Sequence, residues 1–260
     1  MSEYQHTVFS SRPGSQKKEK KMASESTKKD NKQVDAKRPV ALLFELENSV
    51  VNGRALFFDV CKRLLAERDI ALTPALFLRY CQNVSIEKSM IGLLDAVGKK
   101  RLSPEKLASE IADEMKVAMA DKQLKMSSAF TKLLAKSKEE NAVFGALTAL
   151  PQDVAVALVK RLDLSGTLTK IHHTSPDVES FPTADAWLKL AKSVGVVPQG
   201  CIVLTTTTGS SRAALSGGMR PVACPDEFTD GQDFGGADLY VEKLNDEAIA
   251  SIVSLMRESR

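Results

Sequence analysis

The chain has 260 residues, of which 43% are hydrophobic and 27% are charged, and its formal net charge is +3. This length suffices for one domain, or for a domain with an insertion. No apolar stretch approaches the roughly 20 residues of a membrane helix, and no apolar segment of a secretory signal follows the early charges. The four cysteines lie far apart without zinc-type spacing, which favours free thiols in a reducing compartment. We therefore expect a cytoplasmic protein without a membrane segment.

The positive charge is concentrated in residues 1–38, which contain ten basic and five acidic side chains. This segment is poor in aliphatic residues, so burial cannot offset the entropy that ordering would cost. We expect a disordered basic tail, followed by a remainder of net charge −2. Such a tail either binds nucleic acid or an acidic surface, or serves only as a solubilising extension.

The first predicted element after the tail is a buried strand in the sequence PVALLFEL, residues 39–46. A continuous apolar run of this length is typical of a parallel strand that is covered on both faces. Residues 54–140 then predict helices only, because apolar side chains recur at helical spacing and Thr-Pro and Ser-Pro-Glu mark helix starts. We interpret 54–140 as a helical cap inserted after the first strand.

Strands and helices alternate from residue 141 onward. The predicted strands have the sequences AVFGALTAL, LTKIHHT, GCIVLTT, MRPVACP and ADLYVEKL. The predicted helices between and after them are PQDVAVALVKRL, TADAWLKLAKSVGV, GSSRAALSG and NDEAIASIVSLM. This order predicts an α/β fold with a doubly wound, mostly parallel, Rossmann-type sheet formed by residues 39–53 and 141–260. Because ligands bind at the carboxyl edge of such sheets, a cap inserted there would act as a lid.

The segment FPTADAWLKLAKSVGVVPQGCIVLTTTTGSSRAALSGGMRPVACP resembles the haloacid dehalogenase (HAD) superfamily. The similarity is to the subgroup with a helical cap, which includes phosphoglycolate phosphatase and β-phosphoglucomutase, and it covers about 40–258. It rests on residues that build the scaffold: Pro182, Asp185, Trp187, Gly195, Val196, Pro198, Ala213, Ala214, Gly218 and Met219.

The resemblance also assigns the positions that carry chemistry. The first strand of the family ends in two aspartates, of which the first attacks phosphorus and the second is a general acid or base. Glu45 and Glu47 stand at these positions here, and Thr148 matches the hydroxyl residue that binds the phosphoryl group. The two glutamates either are solvent-facing loop acids without a site, or retain a role in binding a cation or hydrogen-bonding the cap.

Two further motifs of the family have lost their charge. Phe181 stands where the family has a lysine that neutralises the phosphoryl group, and Thr205 and Thr206 stand where it has aspartates that hold Mg²⁺. Mg²⁺ prefers carboxylate oxygens, and a cation is a major stabiliser of phosphoryl transfer. Glutamate is also longer than aspartate, and a misplacement of ~1 Å can cost about 10²-fold in rate. We therefore expect no cofactor; if the protein is active, we expect Mg²⁺ with Glu45 as its candidate ligand.

The run TTTTGSS, residues 205–211, precedes a predicted helix. Its hydroxyls and backbone N–H groups can bind an anion weakly, with Thr205, Thr206, Thr207 and Ser210 as candidate phosphate ligands. The alternative is an ordinary turn with a helix cap, and the pattern of a P-loop is absent. Whether Arg54 faces the cleft is left open by the sequence.

These observations predict a pseudoenzyme: a HAD-like protein that has lost phosphatase activity and acts as a binding or interaction module with an unidentified protein partner. One alternative is an active hydrolase of a small phosphate ester, and another is a non-catalytic sensor of a phosphorylated metabolite. Fold alone does not decide among them, because one scaffold hosts many functions.

Overall fold

The computed structural model describes residues 38–81, 85–174 and 182–260. The predicted tail lies outside these ranges except for Arg38, and Phe181 lies outside them as well. The strands are β1 (Ala41–Glu45), β2 (Val143–Thr148), β3 (Lys170–His173), β4 (Cys201–Thr205), β5 (Arg220–Ala223) and β6 (Leu239–Tyr240). They form one sheet in the order β3-β2-β1-β4-β5-β6, and every neighbouring pair is parallel. The predicted doubly wound α/β sheet is thereby confirmed.

Nine α-helices accompany the sheet within the described part of the chain. They are α1 (Gly53–Ala66), α2 (Pro74–Tyr80), α3 (Ile86–Ala96), α4 (Pro104–Ala120), α5 (Ser128–Glu139), α6 (Gln152–Arg161), α7 (Ala184–Val194), α8 (Thr208–Ser216) and α9 (Asp246–Glu258). Most of them begin at a Ser, Thr or Asn whose side-chain oxygen accepts a hydrogen bond from a backbone N–H of the first turn. None of the described helices is both long and apolar enough to cross a membrane.

Strand β1 lies at the centre of the sheet, and all five of its residues are buried. Because successive side chains of a strand point to opposite faces, β1 contributes to two separate cores. Leu42 and Phe44 belong to the core that includes residues of α5, α6 and α9. Ala41 and Leu43 belong to the core that includes residues of α7 and α8. A strand covered on both faces explains the uninterrupted apolar run from which it was predicted.

Helices α1 to α4 bury their apolar faces mainly against one another, in a cluster that contains Phe77, Met90 and Ile111. Helix α5 behaves differently, since its Phe130 packs edge-to-face on Phe44 of β1 with ring centroids 5.0 Å apart. The predicted insertion 54–140 thus contains one helix that packs on the sheet. Its amphipathic pattern resembles that of the other four helices, so the sequence alone could not separate it from them.

A π-helical turn, Leu46–Val50, connects β1 to the first cap helix. Helix α1 then begins at Gly53, where the chain approaches this turn closely. A Cβ atom at position 53 would lie 2.4 Å from the backbone carbonyl oxygen of Glu47, which is closer than two such atoms can come. Glycine is therefore required where the cap leaves the sheet.

Candidate functional site

Glu47 lies in the π-helical turn at the carboxyl edge of the sheet and is almost completely buried. Its Oε2 accepts a hydrogen bond of 2.8 Å from the hydroxyl of Thr148, and its Oε1 accepts one of 2.9 Å from the backbone N–H of Ala149. Thr148 ends β2, which pairs with β1 in a register that places Leu147 beside Glu45. The parallel strands thereby bring the predicted acid and the predicted hydroxyl together.

Burial raises the pKa of Glu47 from 4.5 to about 7, because the charged form loses its hydration. The hydrogen bonds from Ala149 and Thr148 lower this pKa, and the neighbouring Glu45 carboxylate raises it. The loss of hydration is the largest of these influences. Glu47 therefore retains its proton to a higher pH than an exposed glutamate does.

Glu45 is the last residue of β1, and only 2% of its surface is exposed. Its Oε2 accepts a hydrogen bond of 3.1 Å from the side-chain amide of Asn48. Its Oε1 is buried and has no hydrogen-bond partner within the described ranges. The possibility that both glutamates are solvent-facing loop acids is therefore wrong, because Glu45 is buried at the end of β1 and Glu47 is buried in the π-helical turn.

Arg54, in the first turn of α1, faces the cleft, a point that the sequence left open. Its guanidinium group forms an ion pair with Asp226, in the loop after β5. It also donates a hydrogen bond of 3.2 Å to the hydroxyl of Thr206 at the end of β4. Asp226 was missed by the sequence analysis, although it follows Pro225 directly after a predicted strand. The carboxyl ends of parallel strands meet at one edge of a sheet, which is the signal that could have found it.

The loop that carries Asp226 also reaches into the cap. Phe228 packs against Phe58 of α1 and Phe77 of α2, with ring centroids 5.2 Å apart in both pairs. Aromatic contacts of this kind typically contribute about 0.5–1.5 kcal/mol each beyond the burial of their area. The loop after β5 therefore holds the cap through an ion pair and an aromatic cluster.

The four candidate phosphate ligands, which begin with the last residue of β4, are buried but have different surroundings. The Thr205 hydroxyl donates a hydrogen bond of 3.3 Å to the carbonyl oxygen of Val222 on β5, and the Thr206 hydroxyl accepts one from Arg54. Thr207 caps α8 by accepting a hydrogen bond of 3.2 Å from the backbone N–H of Ser210. The Ser210 hydroxyl has no hydrogen-bond partner among the residues described. This geometry is that of a capped helix start whose hydroxyls are largely engaged.

A cavity of about 550 Å³ lies between the cap and the edge of the sheet. Glu47 and Arg54 lie at its polar end, whereas Phe57, Met115 and Leu150 form part of its apolar walls. The cavity therefore brings one of the two buried acids, Glu47, and the cap residue Arg54 to one space beside the carboxyl edge of the sheet.

Comparisons with known proteins agree on the architecture. No protein-family model matches the sequence. The curated protein CbbY of Rhodobacter capsulatus is 30% identical over 74 residues, which are 28% of this chain and 33% of that protein. The match therefore spans about a third of that relative's length.

Solved structures match over most of the chain. CbbY from Rhodobacter sphaeroides in complex with phosphate is similar with a TM-score of 0.66 at 16% identity, over 80% of this chain and 96% of that one. β-Phosphoglucomutase from Clostridium difficile is similar with a TM-score of 0.66 at 18% identity, over 85% of this chain and 98% of that one. A HAD family hydrolase from Deinococcus radiodurans R1, with bound phosphate and sodium, is similar with a TM-score of 0.64 at 16% identity. The match covers 84% of this chain and 97% of that one. This chain has the HAD-like fold with a helical cap.

The site residues of this HAD-like chain do not fit a resident Mg²⁺ ion. The described residues contain no group of three or more His, Cys, Asp or Glu side chains that could hold a metal. Glu47 is engaged by Thr148 and Ala149, and Asp226 is paired with Arg54. A hard cation needs several oxygen ligands, and the free Oε1 of Glu45 supplies one. The guanidinium of Arg54 already brings a positive charge to the same edge of the sheet.

Proposed function

We propose that this HAD-like protein has no phosphatase activity and acts as a binding module. The observation that carries the proposal is the position of the Glu47 carboxylate. It accepts a hydrogen bond from the Thr148 hydroxyl, which the resemblance assigns to phosphoryl binding, and another from the N–H of the next residue, Ala149. The chain thus satisfies these donors with its own carboxylate.

Charge at the cleft supports the same proposal. A phosphate ester would have to displace Glu47 while approaching Glu45, whose carboxylate is buried as well. Two like unit charges about 4 Å apart repel by about 4 kcal/mol at an effective dielectric constant of about 20. The cation on the opposite side, Arg54, is neutralised by Asp226 and therefore offers little compensation. Phosphoryl transfer depends on positive charge that is free to stabilise the transition state.

A phosphatase assay tests the proposal. The full chain is incubated with p-nitrophenyl phosphate and Mg²⁺, and compared with the Glu45→Ala variant and with the control Glu242→Ala, which changes an exposed acid. We expect all three proteins to release nitrophenol at the same background rate. Turnover by the full chain and the control that is lost in Glu45→Ala would establish the hydrolase alternative instead.

We further propose that the partner is a protein in the cytoplasm, and that residues 1–38 add contact with nucleic acid or an acidic surface. The concentration of basic residues in that segment supports its contact with an anionic partner. The four cysteines all lie in the described ranges and are all free thiols, which supports a reducing compartment. Binding of a single-stranded RNA should be lost in a chain that lacks 1–38, and should weaken steeply as salt rises. Equal binding with and without the segment would refute its role.

A further inference from the structure

The cavity between cap and sheet has the size and the surface of a small-molecule site. Its volume of about 550 Å³ lies within the roughly 300–1,000 Å³ of typical ligand pockets. Its apolar walls come from several elements, with Phe57 on α1, Met115 and Met119 on α4, and Val154 on α6. Burying such walls against a ligand contributes roughly 25 cal/mol per Å² of apolar surface removed from water.

The charged groups around this cavity disfavour a charged ligand. Glu47 uses both of its carboxylate oxygens, and Arg54 is paired with Asp226. Lys116 also lines the cavity, and its amine pairs with Asp113 at 2.9 Å. Each of these three groups is already engaged within the chain, so a charged ligand would have to compete with an existing partner.

One polar side chain that lines the cavity, Thr174, has a hydroxyl that is not satisfied by the described part of the chain. The hydroxyl of Thr174 is buried and has no hydrogen-bond partner in the described part of the chain. The residue itself is fixed, because its backbone N–H donates a hydrogen bond of 3.0 Å to the carbonyl of Thr148. A buried hydroxyl without a partner is costly, so rotation of this side chain toward a neutral hydrogen-bonding group on a ligand would remove that cost.

We infer that the cavity binds an uncharged, largely apolar small molecule with one oxygen that hydrogen-bonds to Thr174. This inference rests on the proposed function, because an active phosphatase would need the same space for a charged ester. It adds to the proposed protein partner a small-molecule ligand whose polarity is opposite to that of a phosphate ester.

Titration of the full chain with Nile red, a neutral apolar dye that carries a carbonyl oxygen, tests the inference. We expect saturable binding to one site, seen as increased fluorescence. Ala112→Phe fills the cavity from α4 and should weaken binding by at least about tenfold, the effect of roughly 1.4 kcal/mol. Ala120→Phe makes the same change at an exposed position of the same helix and should leave affinity within about twofold.

The hydrogen bond is tested with Thr174→Val, which keeps the shape of the side chain and removes its hydroxyl. We expect an affinity about two- to tenfold lower, as for the loss of one neutral hydrogen bond. Thermal melting of each variant verifies that it is folded. An unchanged affinity in Thr174→Val would refute the hydrogen bond, and equal effects of Ala112→Phe and Ala120→Phe would refute the cavity as the site.

The ligand class is tested by competition with millimolar inorganic phosphate. We expect no displacement of the dye, and displacement would refute an uncharged ligand. Absence of dye binding in a chain that also lacks phosphatase turnover would overturn this inference alone. Turnover in the phosphatase assay would overturn the proposed function, so the two failures are distinguishable.

Discussion

The two sides of the cleft bury a carboxylate at the same edge of the sheet, but they stabilise it in different ways. On the β1–β2 side, Glu47 has only neutral donors, the hydroxyl of Thr148 and the N–H of Ala149. On the β4–β5 side, Asp226 has the guanidinium of Arg54. A buried carboxylate needs either a proton or a cation to avoid a large loss of hydration energy. On the β1–β2 side, protonation of Glu47 reduces this loss, and on the β4–β5 side the positive charge of Arg54 does so.

This difference separates two kinds of behaviour. The Glu47 side should respond to pH near neutrality, because the pKa of this carboxyl group is raised to about 7. The Asp226 side should act as a fixed connection between cap and sheet, because Arg54 belongs to α1 and Asp226 follows β5. The following variants break or sharpen this distinction.

The largest effect is expected from Arg54→Met, which removes the cation and leaves Asp226 in a largely buried position with 16% of its side chain exposed. Breaking such a pair typically costs about 3–5 kcal/mol, because one charge loses its partner. We expect the free energy of unfolding in urea at neutral pH to fall by about 3 kcal/mol.

The double variant Arg54→Met/Asp226→Leu provides the control, because it removes both charges and leaves none buried. It should regain at least half of the stability lost in the single variant. Equal losses in the single and double variants would show that the ion pair is not what holds this side of the cleft.

Glu47→Gln tests the other side through pH. The pKa of Glu47 is higher in the folded chain, about 7, than its ordinary value of 4.5. Its stabilising contribution is therefore complete below pH 4.5 and is lost as pH rises to about 7, by about 3 kcal/mol in all. We expect the unfolding free energy of Glu47→Gln, relative to the unmodified chain, to rise by about this amount between pH 4.5 and about 8.

Glu242→Gln serves as the matched control because Glu242 is exposed. Its unfolding free energy, relative to the unmodified chain, should stay nearly constant over the same pH range. A flat difference for Glu47→Gln would mean that the Glu47 carboxylate is charged in the folded protein at all these pH values, and the contrast between the two sides would fail.

The smallest effects are expected from the same substitution on both sides, Thr148→Val and Thr206→Val. Thr148 donates a hydrogen bond of 2.8 Å to Glu47 and also accepts one of 3.1 Å from the N–H of Leu150. Thr206 accepts one hydrogen bond of 3.2 Å from Arg54. We expect losses of about 2 and about 1 kcal/mol at neutral pH, since Thr148→Val removes two hydrogen bonds and Thr206→Val removes one. Chemical unfolding at several pH values should show a pH-dependent loss in Thr148→Val alone. A pH-dependent loss in Thr206→Val would contradict the contrast.

Much of the fold could be predicted because its signals are local. The apolar run of β1 reflects burial on both faces, and the capping residues of α4 and α9 stand in the sequence as Ser103 and Asn245. The position of α5 was not accessible in this way. An amphipathic pattern tells which face of a helix is buried, but not whether the partner is the sheet or the cap.

The site was predictable only in part, for a related reason. Glu45, Glu47 and Thr148 could be placed together because parallel strands end at one edge. The pairing of Arg54 with Asp226 spans 172 positions and depends on how a loop folds back over the cap. The turn of the Glu47 carboxylate onto Thr148 depends on the π-helical turn, for which local sequence gives no strong signal.

Gly53 leaves no gap between the first turn of the cap and the backbone that carries Glu47, since even a methyl group would collide with its carbonyl oxygen. The cap and the acid are therefore mechanically linked at this point. A shift of α1 toward the sheet would push on the backbone of Glu47, so the cap helix cannot settle deeper without displacing the acid from its hydroxyl partner.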